Sequence, residues 1–265
     1  MKIHVPKRRR TQLVLAIGVA CIVLIGWHFL RPSQATSPPK PAKSETSATK
    51  KAEPAVSPQT PTPTEPTTPV FDKSKYSTTD ASSLWVVVNK QHPLSPLGYT
   101  PTSLQSVGNG QRMRTDAAAA FSQMQSAAAA AGTPISATSG YRSYSYQVSV
   151  YNGYVAQYGV AQTDTFSARP GYSEHQTGLA LDIQGGGCSL DNCFANTAQG
   201  KWLSANAYIY GFILRYPSDK TAITGYQYEA WHYRYVGTEL ATEMHRLGIT
   251  TLEEFFGIPG GPTYN

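Results

Sequence analysis

The run Ser173-Glu174-His175-Gln176-Thr177-Gly178-Leu179-Ala180-Leu181-Asp182 is followed about fifty residues later by Glu229-Ala230-Trp231-His232. Together these segments offer two imidazoles and a carboxylate as candidate metal ligands: His175, Asp182 and His232. They also set a second carboxylate, Glu229, beside one imidazole, where a general base is wanted. Three protein ligands with one position left to water is how catalytic zinc is held, whereas a closed four-ligand set marks a structural metal. There is no His-Glu-x-x-His run, so the common helical arrangement of zinc peptidases is excluded.

Positioning these groups needs strands. A strand over Gly178 to Ile183 points Leu179, Leu181 and Ile183 into a core and Gly178, Ala180 and Asp182 to the other face. Small neighbours beside Asp182 leave space for a metal and a substrate. In Trp231 to Val236, His232 shares a face with Arg234 and Val236, while Trp231, Tyr233 and Tyr235 take the other. Glu229 precedes His232 by three residues, so a turn at the strand start brings both toward one site. The alternatives at this level are an exposed Asp with a chance His, a surface Glu and a satisfied core His.

The surrounding elements follow from local signals. The folded body is expected to begin near Ser82, with a strand over Leu84 to Val88. Helices are predicted over Thr115 to Ala131, Ser143 to Tyr158, Asn196 to Tyr210 and Thr238 to Leu247. Each is followed closely by glycine. Ile135 to Tyr141, Phe212 to Tyr216 and Trp231 to Val236 read as strands. Thr251 with Glu254 forms a capping box for a last short helix. Helices and strands mix without regular alternation, which favours an α+β fold with a small antiparallel sheet flanked by helices.

Charge and hydropathy divide the chain. The 265 residues carry a formal charge of +6, yet Asp72 to Asn265 holds 12 Lys/Arg against 13 Asp/Glu. The excess therefore belongs to the N-terminal part, and no nucleic-acid partner is expected. Residues 1–11 form a basic tail with Lys2, Lys7, Arg8, Arg9 and Arg10 and no acid. Residues 12–30 are apolar between their ends. As a helix, Leu13 to Leu30 reaches roughly 27 Å, enough to cross a bilayer. The preceding basic block predicts a cytoplasmic N-terminus and a single-pass protein of the cell membrane with its body outside. A cleaved signal peptide is the alternative, and Ala35 and Ser37 leave it open. Residues 31–81 read as a Pro/Thr/Ser-rich linker, a stalk whose forty residues up to Val70 could span on the order of 100 Å. Residues 82–265 form the catalytic body. Cys21 lies within the apolar run. Cys188 and Cys193 read as a local disulfide outside the cytoplasm, with a metal pair as the alternative.

Ser-x-His-x-x-Gly-x-Ala-x-Asp with a later Glu-x-x-His resembles the zinc peptidases that trim peptidoglycan stem peptides, the VanY-type D-Ala-D-Ala carboxypeptidases and their L,D-carboxypeptidase relatives. Further matching segments are Ser139-Gly140-Tyr141-Arg142-Ser143, Ala168-Arg169-Pro170-Gly171, Gly211 to Pro217 and Trp231 to Gly237. The resemblance runs from about Leu84 to Gly257, in the expected order. Ala230 departs from it, since proline often stands there in the family; it carries no metal chemistry. The resemblance implies the Hedgehog/DD-peptidase-like fold and zinc held by His175, Asp182 and His232. It makes Glu229 the base that activates the attacking water and Arg142 a catalytic and substrate-binding cation. Gln147 and Ser173 are candidate substrate hydrogen-bonders; Tyr141, Tyr228 and Tyr233 are weaker ones. The implied partners are peptidoglycan stem peptides or lipid-linked precursors, and the expected reaction removes the terminal D-alanine. L,D-carboxypeptidase action, cleavage within a cross-bridge, and a non-catalytic wall-binding module are the alternatives.

Overall fold

The alternation of core-facing aliphatic residues with small or polar ones builds a central sheet of four short strands. In the computed structural model, which describes residues 70–265, the strands are β1 (Leu104–Ser106), β2 (Arg112–Arg114), β3 (Ser136–Ser139), β4 (Ala180–Gln184), β5 (Phe212–Leu214) and β6 (His232–Tyr235). The helices are α1 (Thr115–Ala130), α2 (Tyr144–Tyr158), α3 (Val160–Thr163), α4 (Ala198–Asn206), α5 (Thr221–Thr224), α6 (Thr238–Leu247) and α7 (Leu252–Phe256). The main sheet runs β3-β4-β6-β5, antiparallel throughout, and β1 and β2 form a separate hairpin. This is the α+β arrangement the sequence predicts.

One core lies between the sheet and α1. Helix α1 is alanine-rich, the residue most favourable to helix. It buries Ala117, Phe121, Met124 and Ala128, a single stripe at helical spacing. Phe121 meets Phe212 edge-on, and Leu179, Leu181 and Ile183 complete the layer with no exposed surface. A second core gathers Trp85, Val87, Val236, Leu240, Met244, Leu252 and Phe255 around α6 and α7.

The segment Leu84 to Val88 is not a strand, contrary to the sequence expectation. Leu84 and Trp85 form a turn and Val86 to Val88 are irregular and buried, with Val86 and Val88 in the first core and Trp85 and Val87 in the second. Its carbonyls are met by side chains instead of a neighbouring strand. The Arg234 guanidinium donates to Leu84 O (3.1 Å) and Val86 O (2.9 Å), and Arg215 Nη2 donates to Val88 O (3.5 Å). Buried carbonyls need only a partner, and a forked cation supplies it as well as a ladder does.

The folded body also begins before Ser82. Phe71 stacks on Trp85 and meets Phe255, Tyr76 meets Trp85 edge-on, and Ala81 is buried. Residues 71–81, expected in the linker, therefore belong to the folded body, with Phe71 packed on the second core and Ala81 in the first. The anchor expected over 12–30 and the stalk up to residue 69 lie outside the described residues. Among the described residues no helix is long and apolar enough to cross a membrane.

Candidate active site

The register of two strands sets the first pair of groups. β4 pairs with β6 so that Asp182 lies directly opposite His232. His175 arrives from the short 3-10 turn Glu174–Thr177 just before β4. That turn is closed by Gly178 at φ 70°, a left-handed conformation glycine takes at no steric cost. Donor atoms of His175, Asp182 and His232 all lie within 4.8 Å of one another, and all three residues are buried. His175 Nε2 is 3.3 Å from Asp182 Oδ2, and His232 Nδ1 is 3.2 Å from Asp182 Oδ1. Glu229 reaches His232 Nδ1 at 3.4 Å through its Oε2, across the turn that His232 N closes on Glu229 O.

The loop before α2 braces the site from the other side. His175 Nδ1 meets Gly140 O at 2.8 Å, which turns Nε2 toward Asp182. A side chain at Gly140 would clash there, because a Cβ would lie 2.4 Å from Arg112 O. Next in the chain, Arg142 Nη1 donates to Gln147 Oε1 (3.0 Å), and Gln147 Nε2 donates to Ala168 O (2.7 Å). Arg142 Nη2 stands 3.5 Å from Asp182 Oδ2.

The donor set fits a zinc ion. His175 Nε2 and Asp182 Oδ1 are buried with no hydrogen-bond partner, although burying such atoms unpaired is costly. Two imidazoles and a carboxylate are a catalytic rather than a structural set. The charges agree. Burial, together with Arg142, presses the His175 imidazole down to about 4, so it is neutral and able to ligate. Burial opposes the charge on Asp182, but His175 and His232 outweigh it and hold the carboxyl well below the usual carboxylate range. Burial pushes the Glu229 carboxyl up, with His232 pulling the other way, as suits a group that must take up a proton.

A cleft of about 750 Å³ opens over these groups. Its lining includes His175, Asp182, His232, Glu229, Arg142 and Ser173. The Ser173 hydroxyl makes no capping bond to the turn it precedes. Gln147 does not line the cleft; it is fully buried behind Arg142. Tyr141 lines the cleft, whereas Tyr233 is buried in the core and Tyr228 faces a smaller hollow beside α4. Cys188 and Cys193 are disulfide-bonded, so their sulfurs are not free to hold a metal.

Glu174 was not singled out by motif reasoning. It is fully buried, and Oε1 accepts from Arg215 Nε and Arg234 Nη1, both at 2.8 Å. Its Oε2 lies 3.7 Å from His232 Nε2. Burial opposes ionisation of Glu174, yet the two guanidinium groups hold its carboxyl well below the usual range. Arg215 is itself gripped by Glu253 at 2.7 and 2.9 Å. Tyr216 stacks obliquely on the His232 ring at 4.7 Å. The available signal was periodicity: Arg234 shares the His232 face of its strand, so an acid had to meet it.

Comparison with known proteins agrees with this geometry. The family described as VanY: D-alanyl-D-alanine carboxypeptidase matches residues 110–238. A D-alanyl-D-alanine carboxypeptidase of Enterococcus faecalis is 35% identical over 245 residues, covering 89% of this chain and 85% of its own length. Among solved structures, the LdcB LD-carboxypeptidase superposes with a TM-score of 0.62 at 40% identity, over 68% of this chain and 88% of that one. A variant of the vancomycin resistance D,D-pentapeptidase VanY, in complex with Zn(II), gives 0.57 at 37% identity, over 66% of this chain and 99% of that one. The chain belongs to the VanY family of D-alanyl-D-alanine carboxypeptidases and is a zinc carboxypeptidase.

Proposed function

We propose that this protein is a membrane-tethered carboxypeptidase that removes the terminal D-alanine from peptidoglycan stem peptides or their lipid-linked precursors. The observation that carries the reading is the meeting of His175, Asp182 and His232 with Glu229 and Arg142 in one cleft. These three residues would hold zinc, which, when bound, supplies Lewis acidity at the scissile carbonyl and acidifies water. Glu229 takes the proton of the attacking water and returns it to the leaving amine. Arg142, steadied by Gln147, directs its remaining donors at the substrate carboxylate and the developing oxyanion. A cation 3.5 Å from the candidate ligand Asp182 favours a substrate whose terminal carboxylate lies beside the metal, hence a carboxypeptidase. Ser173 offers a hydroxyl to the substrate from the cleft wall.

L,D-carboxypeptidase action on tetrapeptide stems is the second reading, favoured by the likeness to LdcB. Digestion of defined tetra- and pentapeptide muropeptides with mass detection separates the two. The expected product is the pentapeptide shortened by one D-alanine, lost on chelation and restored by zinc. No cleavage of either substrate by the zinc-loaded protein, or full activity of His232→Ala, would reject the assignment. The basic block Lys7 to Arg10 followed by the apolar residues 13–30 supports the tether and an extracytoplasmic body. Retention in the membrane fraction after alkaline extraction tests it; release as a shortened soluble chain would point to signal-peptide cleavage.

A further inference from the structure

The disulfide loop beside the cleft holds the chain segment that carries Glu229. Asn192 lies inside the loop closed by Cys188 and Cys193. Its side-chain amide bonds the main chain on both sides of Glu229: Nδ2 donates to Tyr228 O (3.1 Å), and Oδ1 accepts from Ala230 N (3.0 Å). Asn192 is solvent-exposed, so neither bond is needed to satisfy a buried amide of its own. The loop that presents it is rigid for identifiable reasons. Asp191 caps the turn through Cys193 N (2.7 Å), Cys188 and Gly185 exchange main-chain bonds at 3.2 Å, and Phe194 is buried in the first core. From the opposite side, Glu229 N donates to Tyr216 O at 3.2 Å. The segment bearing the carboxylate is thus gripped from two directions, one of them a covalently closed loop.

We propose that Asn192 is a positioning residue for Glu229 and that the Cys188–Cys193 loop is the support that makes this positioning rigid. The inference rests on Glu229 acting as the base. Its physical basis is that a small displacement of a catalytic group costs rate out of proportion to the binding energy lost. Asn192 is not among the residues lining the cleft and its side chain bonds no metal ligand, so its effect must pass through the main chain of residues 228–230.

The test uses the full-length, zinc-loaded protein with Asn192→Ala, Cys188→Ser/Cys193→Ser, and the combination of all three. For Asn192→Ala, kcat on the pentapeptide is expected to fall about tenfold or more, with KM and zinc affinity within about twofold. The serine pair is expected to act in the same direction, and adding Asn192→Ala to it to cost little more, as coupled sites do. Hydrogen exchange at the Ala230 amide in the metal-free protein provides a readout independent of turnover, and it should accelerate in every variant. Faster exchange with unchanged kcat, or a loss in KM instead of kcat, would overturn the proposal. So would full additivity of the two lesions. Should the unaltered protein release no D-alanine, the functional assignment fails, while Ala230 exchange still reports on the anchor.

Discussion

Replacing Glu174 by glutamine tests how the site is held together. The carboxylate and both of its arginine partners are fully buried. Arg215 keeps the two oxygens of Glu253 in the variant, but Arg234 is left with the neutral carbonyls of Leu84, Val86 and Tyr235. Removing one partner of a buried pair costs about 3–5 kcal/mol, because the remaining charge stays buried. Glutamine retains an acceptor oxygen, which places the change near the lower end, about 3 kcal/mol. For a body of this size that is a fall in Tm of about 6–12 °C. Glu174 Oε2 also faces His232 Nε2 at 3.7 Å, so loss of this support should weaken zinc binding by about ten- to a hundredfold. Thermal unfolding of the metal-free protein and competition with a chromophoric chelator measure the two effects. The pH dependence has a definite sign. The Glu174 carboxyl is held below its ordinary value of 4.5, so its stabilisation is fully present above that value and lost as pH falls below it. The stability gap between Glu174→Gln and the unaltered protein should therefore narrow from neutral pH toward about pH 3. A Tm within about 2 °C of the original, together with unchanged zinc affinity, would refute the reasoning.

Other outcomes follow from the same geometry. Glu229→Gln should reduce kcat by about a hundred- to ten-thousandfold while zinc affinity is retained, as judged by equilibrium metal binding. Arg142→Gln should lower kcat about a hundredfold or more, with a folded protein by circular dichroism. Gly140→Ala should cost about 1–3 kcal/mol in chemical denaturation, because its Cβ would meet the main-chain oxygen of Arg112, which cannot rotate away.

Much of the fold was legible because its elements carry local signals. The stripe of Ala117, Phe121, Met124 and Ala128 identifies α1, and Thr251 with Glu254 identifies the cap of α7, where Thr251 Oγ1 accepts from Glu254 N at 3.2 Å. Leu84 to Val88 misled because a buried irregular segment and a strand share one composition. What separates them is the partner of their carbonyls, here an arginine about 150 residues away. Residues 71–81 misled for the opposite reason: they look like linker, and their aromatic rings gain a core only when Trp85 and Phe255 are brought to them.

From the residues alone came the metal-binding types, the base three positions before His232, and the disulfide-spaced cysteines, since each is set by short-range order along the chain. Tertiary structure alone decided that Asp182 faces His232 across two strands, that Glu174 locks two arginines behind the imidazole, and that Asn192 grips both sides of Glu229. Those relations depend on strand register and on burial of charge, which join segments distant in sequence and leave no mark on the spacing of either one.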